Sequence, residues 1–213
     1  MRKTAVITVK GLKFNKLFEK NKIIILMLFA FITGIIIGTV LLGKNEAVGS
    51  LAERIFSDYY SVRQKRAFFK IFFSSFLTSL VMLLPVYISG ASILGVAAVP
   101  FTVMLRGAIL GSLCGYIYKS FSLKGVAFNA MILIPGTLIS YVAYLFAAKI
   151  SVLFSCDFIK LIFPKCRPLN LYGSFKDYTY KFLLIIVFMI LSALVDSTFS
   201  YLFIKFFNFW LFI

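Results

Sequence analysis

The sequence contains no histidine, and only seven of its 213 residues are acidic. Without histidine, the chain has no Ser-His or Cys-His nucleophile system, no histidine metal ligand and no histidine pH switch. Its three cysteines, Cys114, Cys156 and Cys166, form no CxxC pair of the kind found in zinc and redox sites. Glycine-rich nucleotide-binding motifs are also missing. We therefore expect a protein that is not an enzyme, with no catalytic residue, no cofactor and no metal site.

Charge is scarce and apolar residues are abundant. Hydrophobic residues make up 62% of the chain, aromatic residues 18% and charged residues 14%, and the mean hydropathy is +1.00. An average soluble domain is about 45–50% apolar and about 25% charged. A soluble protein of this size could not bury so much apolar surface. The composition predicts an all-α fold, a polytopic integral membrane helix bundle, because helices satisfy their backbone polar groups within lipid.

Lysine and arginine dominate the few charges: the chain has 23 of them and a formal net charge of +16. Such an excess is compatible with nucleic-acid binding, but most of these residues lie at the edges of apolar runs. Basic residues at that place meet anionic lipid headgroups and determine topology. We expect the lipid bilayer as a partner, with no nucleic acid and no small-molecule substrate.

Five apolar segments are predicted to be transmembrane helices, in a single helical membrane domain over residues 23–213. A basic, cytoplasmic N-terminal segment, residues 1–22, precedes them. The first segment is also compatible with a signal peptide, but its 20 uncharged residues, about 30 Å of helix, favour an uncleaved span. The predicted spans are about 23–42, 71–89, 96–118, 125–148 and 182–204.

The first polar loop, residues 43–70, has a helical pattern. Leu51, Ile55 and Tyr59 recur at i, i+4 and i+8, which favours an amphipathic helix on the membrane surface. A solvated loop is the alternative. With five spans, the N-terminal side of the membrane also receives residues 149–181, and together these segments carry more lysine and arginine than the opposite side. The positive-inside rule then predicts an N-terminus inside the cell.

Two features of the predicted spans concern packing. Gly107, Gly111 and Gly115 form a GxxxGxxxG groove, which packs a helix within the bundle or docks a partner protein. Arg106 and Asp196 are the two ionisable residues placed deep in the spans. A lone charge at a helix centre costs about 2.5–3.5 kcal/mol on insertion scales, so we predict an ion pair between them. One alternative is that Arg106 contacts backbone carbonyls or snorkels while Asp196 is protonated or caps a broken helix, and the other is a transport role.

A proline-glycine pair interrupts the fourth predicted span. Pro135 and Gly136 follow Asn129, and a proline frees a backbone carbonyl that must find another partner. The pair indicates a kink packed against neighbouring helices. A broken helix that lines a substrate path is the other interpretation.

Residues 67–155 carry a resemblance to a known family. An FFKxF-like entry, Phe68-Phe-Lys-Ile-Phe72, leads into the second span, a Gly-Ala-Ser-Ile-Leu-Gly turn precedes the third, and a Ser-Leu-Lys-Gly turn leads into a Leu-Ile-Pro span. In this order they resemble the stage II sporulation protein M family of spore-forming bacteria. Positions that match the family pattern are Arg106, Gly107, Gly111 and Gly125.

The resemblance implies a role during engulfment, in the septal membrane of a sporulating bacterium. It implies a multi-pass scaffold of the cell membrane that anchors peptidoglycan hydrolases, the stage II sporulation proteins D and P, for peptidoglycan remodelling. The alternative is a small membrane permease or channel component, in which Arg106, Asn129 and Pro135 would line a path. An intramembrane aspartyl protease would need two membrane acids, and Asp196 stands alone.

Cysteine chemistry tests the predicted topology. With the N-terminus inside, residues 149–181 face the reducing cytosol, so Cys156 and Cys166 are expected to be free thiols. In intact cells, a membrane-impermeant thiol reagent should label neither residue. Labelling, or a Cys156–Cys166 disulfide in the purified protein, would contradict the predicted topology.

Overall fold

A computed structural model describes the backbone of residues 4–162 and 171–207, and the side chains of residues 22–159 and 173–207. In these ranges the chain is helical almost throughout and contains no strand. The predicted all-α fold is confirmed. The described residues exclude residues 1–3, Cys166 and residues 208–213 of the aromatic C-terminal tail, which begins at Phe206. In the basic N-terminal segment, they also exclude the side chains up to residue 21.

The described ranges contain six α-helices, and two short non-α turns extend them. A π-helical turn, Asn129–Leu133, joins the fourth and fifth helices, and a 3-10 turn, Ile204–Phe206, follows the sixth. The helices are α1 Thr4–Lys44, α2 Glu46–Gln64, α3 Phe68–Gly90, α4 Gly95–Phe128, α5 Ile134–Ile162 and α6 Leu171–Phe203.

Four helical stretches in the described ranges are long and apolar enough to cross a membrane: Lys22–Lys44, Phe68–Gly90, Gly95–Ile159 and Gly173–Phe206. The third has 65 residues, which as a straight helix would measure about 98 Å, three times the hydrocarbon thickness. It is not straight, because Ser122 has φ 48° and ψ −126°, a left-handed conformation that ends the first arm.

The chain reverses direction at Ser122 and forms an antiparallel hairpin. Gly125 packs against the backbone oxygen of Ile117, eight residues earlier, and Arg106 contacts Ser140 in the opposite arm. Each arm is long enough for its own crossing, so the four stretches supply five membrane-length segments. Consequently α2, the Ser122 reversal and the end of α6 lie at one end of the bundle, which we call the α2 end.

Glycines bring α1 and α4 into close contact. Gly107 and Gly111 of α4 lie against the backbone oxygens of Phe31 and Ile35 in α1. In return, two α1 glycines, Gly34 and Gly38, lie against backbone oxygens of α4, and Gly115 faces Leu42 and Thr39. A side chain at the other four glycines would overlap the neighbouring backbone, whereas at Gly115 it would meet only side chains. The GxxxGxxxG groove therefore packs inside the bundle.

Two apolar clusters form the core, one in each half of the bundle. The cluster remote from α2 includes Met27, Val103, Tyr144 and Met189, and the cluster at the α2 end includes Phe56, Ile117, Phe128 and Phe207. Between them lies a layer of polar side chains, which forms the candidate site. Because each cluster draws on several helices, the polar layer is held from both sides.

The first polar loop is an α-helix, α2, but its buried face differs from the predicted one. Leu51 and Ile55, which the pattern assigned to the apolar face, are exposed. The buried residues of α2 are Ala52, Phe56, Tyr60 and Arg63. The buried face is shifted by one residue from the predicted apolar stripe, because α2 packs against the protein interior and not only against lipid.

The start of the aromatic tail returns to the bundle. Phe207 is buried, its ring meets the ring of Phe128 edge to face at 5.5 Å, and its carbonyl accepts a hydrogen bond of 2.9 Å from the Tyr60 hydroxyl. This contact ties the end of α6 to α2.

Glycine packing predicts the effect of one methyl group. Gly111→Ala places a Cβ against the Ile35 backbone, and overpacking of this kind costs about 1–3 kcal/mol. The matched control is Gly49→Ala, because Gly49 lies in α2 with open space around it. Thermal unfolding of the purified protein in detergent should show a lower Tm for the first variant and an equal or higher Tm for the control. Equal Tm values would contradict the close α1–α4 contact.

Candidate functional site

A cavity of about 360 Å³ lies in the polar layer, lined by side chains of α2 to α6. Its volume is within the range of pockets that bind small molecules, about 300–1,000 Å³. The lining combines aliphatic side chains with hydroxyl groups and four charged residues. Those four are Asp58, Arg63, Arg106 and Asp196.

A buried ion pair closes one side of this cavity. Asp196 of α6 pairs with Arg63 of α2 through its Oδ2 atom, and the same atom accepts a hydrogen bond from the Ser75 hydroxyl of α3. The Tyr59 hydroxyl lies 3.4 Å from Oδ1. Both charged side chains are almost fully buried. The carboxylate is thus compensated by one charge and by hydroxyl donors from two helices.

All three nitrogen atoms of the Arg63 guanidinium donate hydrogen bonds. Nε donates to the Ser200 hydroxyl at 3.0 Å, Nη1 to the Tyr59 carbonyl at 3.2 Å, and Nη2 to the Ser75 hydroxyl at 3.1 Å as well as to Asp196. Its Cζ atom lies 3.2 Å from the Tyr59 ring centroid, a cation–π contact. Burial raises the pKa of Tyr59 above its ordinary value, so this phenol remains a hydrogen-bond donor at neutral pH.

The predicted ion pair between Arg106 and Asp196 is wrong. Both residues line the same cavity, but Asp196 pairs with Arg63, and the Arg106 guanidinium contacts Ser140 and two tyrosines instead. Counting residues from the helix ends placed the two charges at similar depths. It could not account for α2, which enters the bundle end and brings a third charge closer to Asp196.

Arg106 is 8% exposed and lies in the middle of α4. Nη2 donates a 2.6 Å hydrogen bond to the Ser140 hydroxyl of α5. Its Cζ atom lies 4.8 Å from the Tyr141 ring centroid and 4.1 Å from that of Tyr144. Among the described residues, Nη1 is a buried nitrogen without a hydrogen-bond partner, and no carboxylate forms an ion pair with this side chain.

The proline-glycine pair positions α5 against Asp196. Pro135 follows the π-helical turn, in which the wider spacing absorbs the hydrogen bond that proline cannot make. Gly136 then packs against the Asp196 side chain, and its carbonyl accepts a 2.7 Å hydrogen bond from Ser192 of α6. Gly136 is therefore packed against α6, and it also lines the cavity.

Sequence reasoning missed Arg63 as a site residue. Arg63 stood among six basic residues of the loop, where a solvated charge was the simplest interpretation. One signal could have found it. Ala52, Phe56 and Tyr60 recur every four residues, and Arg63 continues that helical face. Ser75, through its hydroxyl, is a second network residue that the sequence does not predict.

Comparison with known proteins identifies the family. The family model described as Stage II sporulation protein M matches residues 25–201, which is most of the chain. The chain therefore belongs to the Stage II sporulation protein M family, and the resemblance predicted from the sequence is confirmed. It is a sporulation-related membrane protein. No curated protein and no solved structure matches it.

The ion pair predicts a pattern among variants. Asp196→Ala leaves Arg63 buried without its counter-charge, which costs about 3–5 kcal/mol. The double variant Arg63→Met/Asp196→Leu removes both charges and should recover most of the loss in Tm. The control, Arg106→Met/Asp196→Leu, should not recover it, because Arg63 remains unpaired. If the Tm recovered in the control alone, the Arg106–Asp196 pair predicted from the sequence would be correct.

Proposed function

We propose that this protein is a non-catalytic membrane scaffold that anchors peptidoglycan-degrading partners, the stage II sporulation proteins D and P, at the septal membrane during engulfment. Family membership over residues 25–201 is the observation that supports the proposal most directly. The family is one of sporulation membrane proteins, and such a role needs a stable fold and an exposed partner surface.

The α2 end offers such a surface. α2 is held in place by Arg63 and by its buried aromatic residues, while most of the residues on its exposed side are polar. Three of the seven acidic residues of the chain lie on this exposed face, beside Arg54. An ordered helix with charges of both signs suits recognition by complementary charge on a partner. The three acidic residues are Glu46, Glu53 and Asp58.

Topology places this surface on the side where peptidoglycan lies, if the N-terminus is inside. The α2 end is then extracytoplasmic, because one crossing separates it from the N-terminal segment. Enzymes that cut the cell wall act on the same side. The partners would cut peptidoglycan, and this chain would position them.

A charge-neutral pair of variants tests the surface. Glu53→Gln/Arg54→Gln removes adjacent exposed charges at the α2 end without changing net charge, and should weaken capture of the two wall hydrolases at least about tenfold. The matched control is Lys176→Gln/Asp177→Gln, an exposed pair at the opposite end. Quantitative co-purification from sporulating cells is the measurement. Equal capture by both variants and the unmodified chain would exclude α2 as the docking surface.

Deletion of the whole protein separates anchoring from catalysis. Without their anchor, the hydrolases should remain chemically active in extracts but lose their septal location under fluorescence microscopy. Hydrolysis of isolated peptidoglycan by the purified protein alone would contradict the non-catalytic role.

A small permease or channel component is the second candidate. The observation that favours it is the cavity, which contains Arg106 and Gly136 beside the π-helical turn, a combination found where helices are interrupted in transporters. Solute flux in liposomes that contain this chain alone would support it. If liposomes that contain the folded protein show no solute flux, the result would favour the scaffold.

A further inference from the structure

The unused nitrogen of Arg106 indicates a ligand. Nη1 is buried and has no hydrogen-bond partner among the described residues, although the side chain lines a cavity of about 360 Å³. A buried donor without a partner costs about 1–3 kcal/mol, and more when it is charged. Ionisable residues inside a membrane usually mark a functional site. The group that completes Arg106 is therefore expected to come from outside the chain.

Charge specifies what that group is. The cavity has two acids, but Asp196 is paired with Arg63, and Asp58 is exposed on α2. The interactions of Arg106 are with Ser140, Tyr141 and Tyr144, none of which carries a compensating negative charge at neutral pH. A guanidinium binds oxyanions, phosphate and carboxylate, through charge-assisted hydrogen bonds. The missing partner is an acidic oxygen.

The rest of the lining specifies what carries the oxyanion. Aliphatic and methionine side chains surround the polar groups, which suits an apolar chain and not a small hydrated ion. The apolar lining residues include Met82, Ile109, Leu110, Leu113 and Leu133.

The exposed part of the cavity lining lies on α3 and α4 and at the α2 end. Four lining residues are exposed, and they lie on α2, α3 and α4. Ile109 and Thr78 belong to helices long and apolar enough to cross a membrane, so an amphiphile in the bilayer would meet the lining on this side. The other two exposed residues, Ile55 and Asp58, belong to α2.

We propose that the cavity binds an anionic amphiphile of the membrane, with its phosphate or carboxylate on Arg106 Nη1 and its apolar part along the α3–α4 lining. The Ser79 hydroxyl, which lies 3.5 Å from the Ser140 hydroxyl beside Arg106, supplies a second hydrogen-bonding group. This inference goes beyond the scaffold role and does not depend on it.

Binding to the purified full-length chain tests the site. The probes are phosphatidylglycerol, oleate, inorganic phosphate and, as a zwitterionic reference, phosphatidylcholine. Native mass spectrometry in a nonionic detergent gives the affinities. We expect phosphatidylglycerol or oleate to bind at least about tenfold more tightly than phosphatidylcholine. Competition by inorganic phosphate at similar concentration would contradict the amphiphile and assign the site to a free oxyanion.

Variants then locate the binding. Arg106→Gln should lose at least about tenfold in affinity, and so should Ser79→Leu, which fills the cavity but keeps the charge. Lys176→Gln removes an exposed charge at the other end and should bind like the unmodified chain. If Arg106→Gln does not fold, Ser79→Leu decides. The proposal is overturned if no anionic probe exceeds phosphatidylcholine, or if the cavity variants bind like the control.

Discussion

The ion pair between Asp196 and Arg63 is the contact on which the arrangement of the bundle depends. Asp196 lies on α6, Arg63 on α2 and the hydroxyl donor Ser75 on α3, while Gly136 of α5 packs against the aspartate side chain. Four helices therefore meet at one carboxylate. Breaking such a buried pair leaves a charge without compensation, so the four helices must keep their relative positions.

Two further kinds of contact distinguish the two sides of the bundle. Apolar packing and close glycine contacts hold α1 against α4, where backbones touch at Gly107 and Gly111. Polar contacts at Asp196 join α2, α3 and α6, in addition to their apolar packing. The cavity lies between these two systems, next to Arg106, which belongs to α4 but makes its hydrogen bond to α5.

The helical class, the membrane-length segments and the family could be predicted from the sequence, because each rests on long apolar runs and on the spacing of a few residues. The glycine groove of α4 was also visible, since GxxxGxxxG records a helix face directly. The partner of Asp196 was not visible. It depends on how α2 rotates about its axis, and that rotation is decided by aromatic packing of Phe56 and Tyr60 against distant helices.

The order in which the chain is synthesised gives the Arg63–Asp196 pair one more consequence. The two residues are 133 positions apart, so Asp196 does not exist as a partner until the last helix has been made. Until then Arg63 keeps its charge without a counter-ion, which favours α2 remaining at the membrane surface in water. The contacts of Arg63 with Asp196 and Ser200 can therefore form only after the last span has been synthesised.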